Sequence, residues 1–152
     1  MAQVNFTSRS YFNASQEHLS MAAQMLLDGQ YFAAHYFAGI AVESILRANS
    51  VTQAGTFSSN HSIEYWAEQS GILSRLTIEQ EDRMRNVLDE INRRWRANQR
   101  YMTSKMLDTS LESLGLDRIR GDRVKYSSKR LFDLATVIVT SGVEKWNSNN
   151  KS

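Results

Sequence analysis

The longest apolar stretch of the chain runs from Gln30 to Ser50, and the polar and apolar positions on either side of it fall into helical spacings. Between Tyr31 and Ala48 only His35, Glu43, Ser44 and Arg47 are clearly polar. A helix that is apolar on nearly every side packs on several neighbours at once, so this segment reads as the central helix of a bundle. Ala34, Ala38, Ala41, Ile45 and Ala48 recur at spacings of three and four, a mostly small stripe against which another helix can approach closely. Four polar residues in so short a run exclude a membrane span, which needs roughly 20 nearly uninterrupted apolar residues.

The flanking segments repeat the helical period. From about Ser10 to Asp28, Tyr11, Ser15, His18, Ala22, Met25 and Leu26 share a face, with Phe12 and Leu19 beside it. Asp28-Gly29 ends this helix, and the short turn that follows requires an antiparallel hairpin with the central helix. After a polar loop, Val51 to Asn60, the pattern predicts a third helix from His61 to about Gly71, capped by Asn60, with Ile63, Trp66 and Ala67 inward. Thr77 and Gln80 form a capping box, so a fourth helix starts at Ile78. It is expected to continue to at least Arg100, with Met84, Leu88, Ile91, Trp95 and Met102 on its apolar side. At 100° per residue Arg93, Arg96 and Arg100 lie within about 60° of one another on the opposite side. Ser104 to Leu114 reads as a short helix with Met106, Leu107, Leu111 and Leu114 inward. A charged loop containing Arg118, Arg120, Arg123 and Lys125 follows, and a last helix runs from Tyr126 or Ser127 to about Trp146. The expectation is therefore one all-α domain over residues 1–152, a four- to five-helix up-and-down bundle, with flexible ends at 1–9 and 147–152.

Composition narrows the chemistry. Among 152 residues there is no Cys and no Pro, so no disulfide framework, thiolate metal site or thiol nucleophile is available. The three His, at 18, 35 and 61, form no tight ligand cluster, and neither a metal nor another cofactor is expected. The N-terminus lacks the charged-then-apolar pattern of a signal peptide, which points to a cytoplasmic protein. The net charge of +2 conceals an asymmetry: residues 1–82 carry 3 basic and 8 acidic side chains (−5), and residues 83–130 carry 13 basic and 6 acidic (+7). A basic third beside an acidic half can attract phosphate or an acidic partner. An Arg-rich helix laced with local ion pairs is the plainer alternative. Asp89–Arg93 and Glu90–Arg94 have the favourable i,i+4 spacing, whereas Arg96 and Arg100 have no acid four residues before them.

Taken in order, three motifs carry a family resemblance. They are the aromatic- and alanine-rich YFAAHYFAGIAVESILRA, the isolated His61 opening NHSIEYWAEQSGI after a glycine-containing loop, and WRANQRY from Trp95 to Tyr101. In this order, with a long amphipathic helix to finish, the chain resembles the HEPN domain over residues 8–102, and more loosely over 126–147. The resemblance implies a helical bundle, usually a homodimer. It also implies either a metal-independent ribonuclease or a non-catalytic module that binds a nucleotide, RNA or a partner protein. Such modules often occur with a small nucleotidyltransferase, in prokaryotic toxin–antitoxin or defence settings. The family's nuclease motif is Arg, four to six residues, then His. Here none of the three His has an Arg at that distance, and Tyr101 stands five positions after Arg96. Tyr, with an unperturbed pKa near 10, is a poor base at neutral pH.

These features set the candidate residues. Arg93, Arg96, Arg100 and Tyr101 are the expected phosphate or nucleic-acid surface, because a guanidinium fork binds phosphate oxygens bidentately and a ring can stack on a base. His61, Arg96 and Tyr101 are the set a divergent ribonuclease would use. Glu43 and Arg47 are expected as an architectural ion pair on the central helix, with orientation of an Arg or His by Glu43 as the functional alternative. His35 and Trp95 are expected in the core. A structural adaptor whose basic face binds an acidic protein is the remaining reading.

Overall fold

The computed structural model describes residues 5–50, 57–116 and 122–150. They form six α-helices and one 3-10 turn: α1 (Ser8–Leu27), α2 (Tyr31–Ala48), α3 (Ile63–Ser70), α4 (Ile78–Arg94), the turn Ala97–Tyr101, α5 (Ser104–Ser113) and α6 (Arg123–Asn149). The four long helices α1, α2, α4 and α6 make an all-α bundle, with α3 and α5 as short additions. None of the described helices is long and apolar enough to cross a membrane.

As the spacing predicts, α2 is central. It packs most extensively on α1, then on α6, and also meets α3 and the 3-10 turn. Ala34, Ala38, Ala41, Ile45 and Ala48 are all buried. The α1–α2 hairpin closes through Gly29, whose φ of 73° lies in the left-handed region that a Cβ disfavours. Thr7 caps α1 in a reciprocal box with Ser10, and Thr77 caps α4 with Gln80 as expected.

The largest departure from the sequence reading is the end of α4. The helix stops at Arg94 instead of continuing to Arg100. Trp95 and Arg96 are extended, with φ/ψ of −120°/136° and −139°/145°. Burial of the Trp95 indole accounts for the break. It is 1% exposed, and its Nε1 donates to the Tyr36 carbonyl at 3.1 Å. The ring occupies the space a side chain would need at Gly39, where a Cβ would meet Trp95 Nε1 at 2.1 Å. Gln99 completes the break, its Nε2 donating to the Arg94 carbonyl at 2.7 Å in place of the lost helical donor. Met102 therefore lies beyond the helix.

Smaller corrections follow from capping and packing. Helix α3 begins at Ile63, not His61. Ser62 is its cap, and Asn60 Oδ1 accepts from the Ser62 amide one step earlier. In α5 only Leu107 and Leu111 are buried; Met106 and Leu114, expected inward, are exposed, because the helix presents a single narrow face to its neighbours. Asp122 caps α6, so this helix begins ahead of Tyr126 and continues past Trp146 to Asn149. Ser8 and Arg9 belong to α1.

Candidate functional site

The break after Arg94 dismantles the expected arginine stripe, since Arg93, Arg96 and Arg100 no longer share one helix. Arg93 stays exposed on the last turn of α4, where it and Arg94 complement the partial negative charge of the helix end. Arg96 lies on the extended segment, its Nη1 donating to Asn92 Oδ1 at 2.8 Å. Its local partner is thus an amide four residues back. Arg100 and Tyr101 form a pair of their own on the 3-10 turn, with the guanidinium carbon 4.9 Å from the ring centroid. The Tyr101 and Tyr36 hydroxyls beside Arg100 push its pKa up. Tyr101 is 76% exposed and does not border the cleft in which Arg96 lies.

The structure does bring together Arg96 and His61. They face a cleft of about 460 Å³ between the start of α3 and residues 95–98, with Asn60, Ser62, Asn92 and Asn98 on its walls. That volume falls in the range of about 300–1,000 Å³ typical of small-molecule sites. Apart from Arg96 and His61 the polar side chains that line it are amides and hydroxyls, so among the described residues no lining carboxylate competes for the Arg96 cation. Trp95 contributes to the floor. The same side chain that breaks α4 thus also backs the cleft.

His61 is held from behind. Its Nδ1 lies 3.1 and 3.2 Å from the two oxygens of Glu43, a residue of α2. A carboxylate only accepts, so the ring carries its proton on Nδ1, and in the neutral form Nε2 is left as an acceptor. Among the described residues Nε2 has no partner, and the side chain remains 27% exposed. Glu43 is itself buried and pairs with Arg47 Nε at 3.0 Å. Poor alignment makes this contact an ion pair more than a directed hydrogen bond.

Arg47, 1% exposed, is the deepest charge in this region. Its guanidinium lies over Trp66 at 4.6 Å, Phe57 at 5.1 Å and Tyr11 at 5.6 Å. Its Nη atoms donate to the carbonyls of Ser58 and Asn60. Trp66 Nε1 donates to the same Asn60 carbonyl at 2.7 Å. Arg47 therefore fixes the backbone that delivers His61, while Glu43 fixes the ring. The expected Glu43–Arg47 pair is present, and it extends to a third member that spacing alone did not connect.

A second polar cluster lies beneath the α4 break, and sequence reasoning missed most of it. His35 is fully buried, with Nδ1 3.2 Å from Gln99 Oε1 and Nε2 3.0 Å from Ser127 Oγ. Arg94 Nη1 donates to the same Ser127 oxygen at 3.1 Å, so the Ser127 hydroxyl turns its proton to His35 Nε2, and Nδ1–H donates to Gln99. Burial, opposed by the Gln99 hydrogen bond and reinforced by Arg94, brings the His35 pKa down from 6.5 to about 3, and the ring is neutral. Arg94, 6% exposed, also pairs through Nε with Glu90 at 2.8 Å. Glu90 accepts from Arg130 as well. The Arg130 hydrogen bond, followed by the Arg94 contacts and opposed by partial burial, pulls the Glu90 carboxyl from 4.5 to about 2. The one advance signal was the Glu90–Arg94 spacing. Nothing in the sequence marked Gln99 or Ser127.

Among the described residues no group of three His, Cys, Asp or Glu can hold a metal ion. Of the expected basic loop, Arg118 and Arg120 lie outside the described residues. Arg123 is paired with Glu112 at 3.0 Å and approaches Asp108 at 3.6 Å, while Lys125 lies 5.5 Å from the Tyr31 ring centroid. Comparison of the chain with protein-family models, characterised proteins and solved structures gives no match in any of the three.

Proposed function

We propose that the protein is a HEPN-type helical binding module that holds a phosphate group of a nucleotide or RNA in the cleft between His61 and Arg96. The observation that supports this reading most is that these two residues, far apart in sequence, border one cleft with no carboxylate among its described lining residues. Arg96 supplies a fork of donors that Asn92 orients, and His61, its ring oriented by Glu43, donates to the phosphate from Nε2 when it carries a second proton. A charged fork and a pre-positioned ring favour an anion over a neutral ligand. Arg100 and Tyr101 are a separate exposed pair and have no part in this cleft.

The test is equilibrium binding of a labelled nucleotide or short RNA at several salt concentrations. The expected result is affinity that falls as salt rises and drops about tenfold in Arg96→Ala. Affinity indifferent to both salt and Arg96 would contradict the reading.

The Glu43–His61 pair favours a second reading, a metal-independent ribonuclease. A ring with Nδ1–H on a carboxylate and Nε2 unoccupied is arranged to accept a 2′-hydroxyl proton, with Arg96 on the phosphate as charge develops. Total RNA incubated with metal-free protein decides it. Cleavage lost in both His61→Ala and Arg96→Ala supports the enzyme; intact RNA leaves the binding module. The family resemblance extends the proposal to a cytoplasmic homodimer in a prokaryotic toxin–antitoxin or defence context, with a nucleotidyltransferase as the natural protein partner. Sedimentation of the purified chain tests the dimer.

A further inference from the structure

Asn92 borders the His61–Arg96 cleft and also a second groove, of about 730 Å³, along the side of α4 that faces α6. Arg93, Arg94, Arg130, Tyr126, Asp89 and Glu90 are its charged and aromatic members. Its charge is unbalanced, with three guanidiniums facing two carboxylates. Glu90 is fully engaged. Its two oxygens accept from Arg130 Nε at 2.7 Å and Nη2 at 2.8 Å, and Oε2 also accepts from Arg94 Nε at 2.8 Å. Arg130 commits to Glu90 two of the five donors a guanidinium carries. Arg93 is exposed and makes no hydrogen bond or ion pair among the described residues. Tyr126 is 44% exposed, with the Arg94 guanidinium 6.0 Å from its ring centroid. The groove thus combines uncommitted arginine donors with a ring open to stacking.

A phosphate suits the arginines, and a planar base suits the ring. Both features recur along one kind of ligand, a single strand of nucleic acid. A duplex would hide its bases from Tyr126. We infer that the cleft and the groove form one track: a single strand crosses the last turn of α4 at Asn92, with one phosphate at Arg96 and His61, another at Arg93 and Arg130, and a base on Tyr126. This inference rests on the phosphate-binding reading of the cleft and adds the class of ligand, a strand of several nucleotides in place of a mononucleotide.

Fluorescence anisotropy with labelled oligouridylates tests it, with oligodeoxyuridylates of equal length to separate RNA from DNA. Affinity is expected to rise about tenfold or more from the mononucleotide to a strand of about eight residues. Arg93→Ala and Tyr126→Ala, both truncations of exposed side chains that leave the Glu90–Arg130 pair in place, are each expected to weaken strand binding about three- to tenfold. Both variants should leave mononucleotide binding unchanged. Three results overturn the track: strand affinity no greater than mononucleotide affinity, strand binding unaffected by either variant, or a polyglutamate peptide binding as tightly as the strand. If the mononucleotide still binds and depends on Arg96, only the track falls. If neither mononucleotide nor strand binds, the cleft reading falls and takes the track with it.

Discussion

His35 and His61 are each joined to a polar side chain from another element, yet they occupy opposite kinds of environment. His35 lies in the core with both ring nitrogens engaged, by Gln99 and Ser127, and burial keeps it neutral. His61 lies at a cleft with one nitrogen engaged, by Glu43, and the other without a partner among the described residues. The first arrangement is complete within the chain and so serves the fold. It ties α2, the 3-10 turn and α6 together where α4 breaks. The second leaves one nitrogen on a partly exposed side chain, open to water or to a ligand. A buried polar group needs its partners within the protein, whereas a partly exposed one can take them from outside.

The largest effect is expected on the core side. His35→Ala removes a buried ring and leaves Gln99 and Ser127 without their partner. The expected loss is about 3 kcal/mol of unfolding free energy, from cavity formation together with unsatisfied polar atoms. A urea titration measures it, and a loss under about 1 kcal/mol would mean the network does not hold the bundle together.

Acid should act through the same ring. Unfolded, His35 binds a proton near pH 6.5; folded, it resists protonation down to about 3. The unfolded state binds more protons in this interval, so the His35 contribution is complete above pH 6.5 and is lost as pH falls toward 3. The slope approaches about 1.4 kcal/mol per pH unit at most. Glu90 acts in the same direction at lower pH, its contribution complete above 4.5 and lost as pH falls toward about 2. Urea midpoints between pH 7 and 5 should therefore decline in the wild type and decline less in His35→Ala. Flat wild-type midpoints across that range would contradict the neutral, buried assignment.

The smallest stability effect is expected at the cleft. His61→Ala truncates a partly exposed ring and should cost within about 1 kcal/mol, while nucleotide affinity falls several-fold. A large loss of stability with unchanged binding would place His61 with the architectural residues and erase the contrast with His35.

Much of this division was legible in the sequence, for reasons visible in particular residues. The alanine stripe of α2, the Gly29 turn and the Thr77 box are local signals, and local signals fix helices. Glu43 and Arg47, one turn apart, announced their own pair. His61 joining that pair was not legible, because it depends on how the backbone at Ser58 and Asn60 is carried across Arg47. The stop at Arg94 was hidden for a related reason. Trp95 continues the apolar period of α4, and nothing before it in that helix shows that its indole must enter the space left by Gly39 on another helix. Once the helix ends there, angular placement of Arg96 and Arg100 fails. The cleft then forms from residues that no single period relates.

The proposed function depends most on the His61–Arg96 cleft receiving a phosphate. Amide and histidine side-chain NMR of the protein titrated with uridine 5′-monophosphate, and separately with uridine, tests it most directly. Shifts are expected to concentrate at residues 59–62 and 95–98 and at the His61 ring, produced by the nucleotide and not by the nucleoside, with the His35 ring unmoved. Equal responses to both compounds, or shifts centred on Arg100 and Tyr101 with residues 59–62 silent, would contradict it.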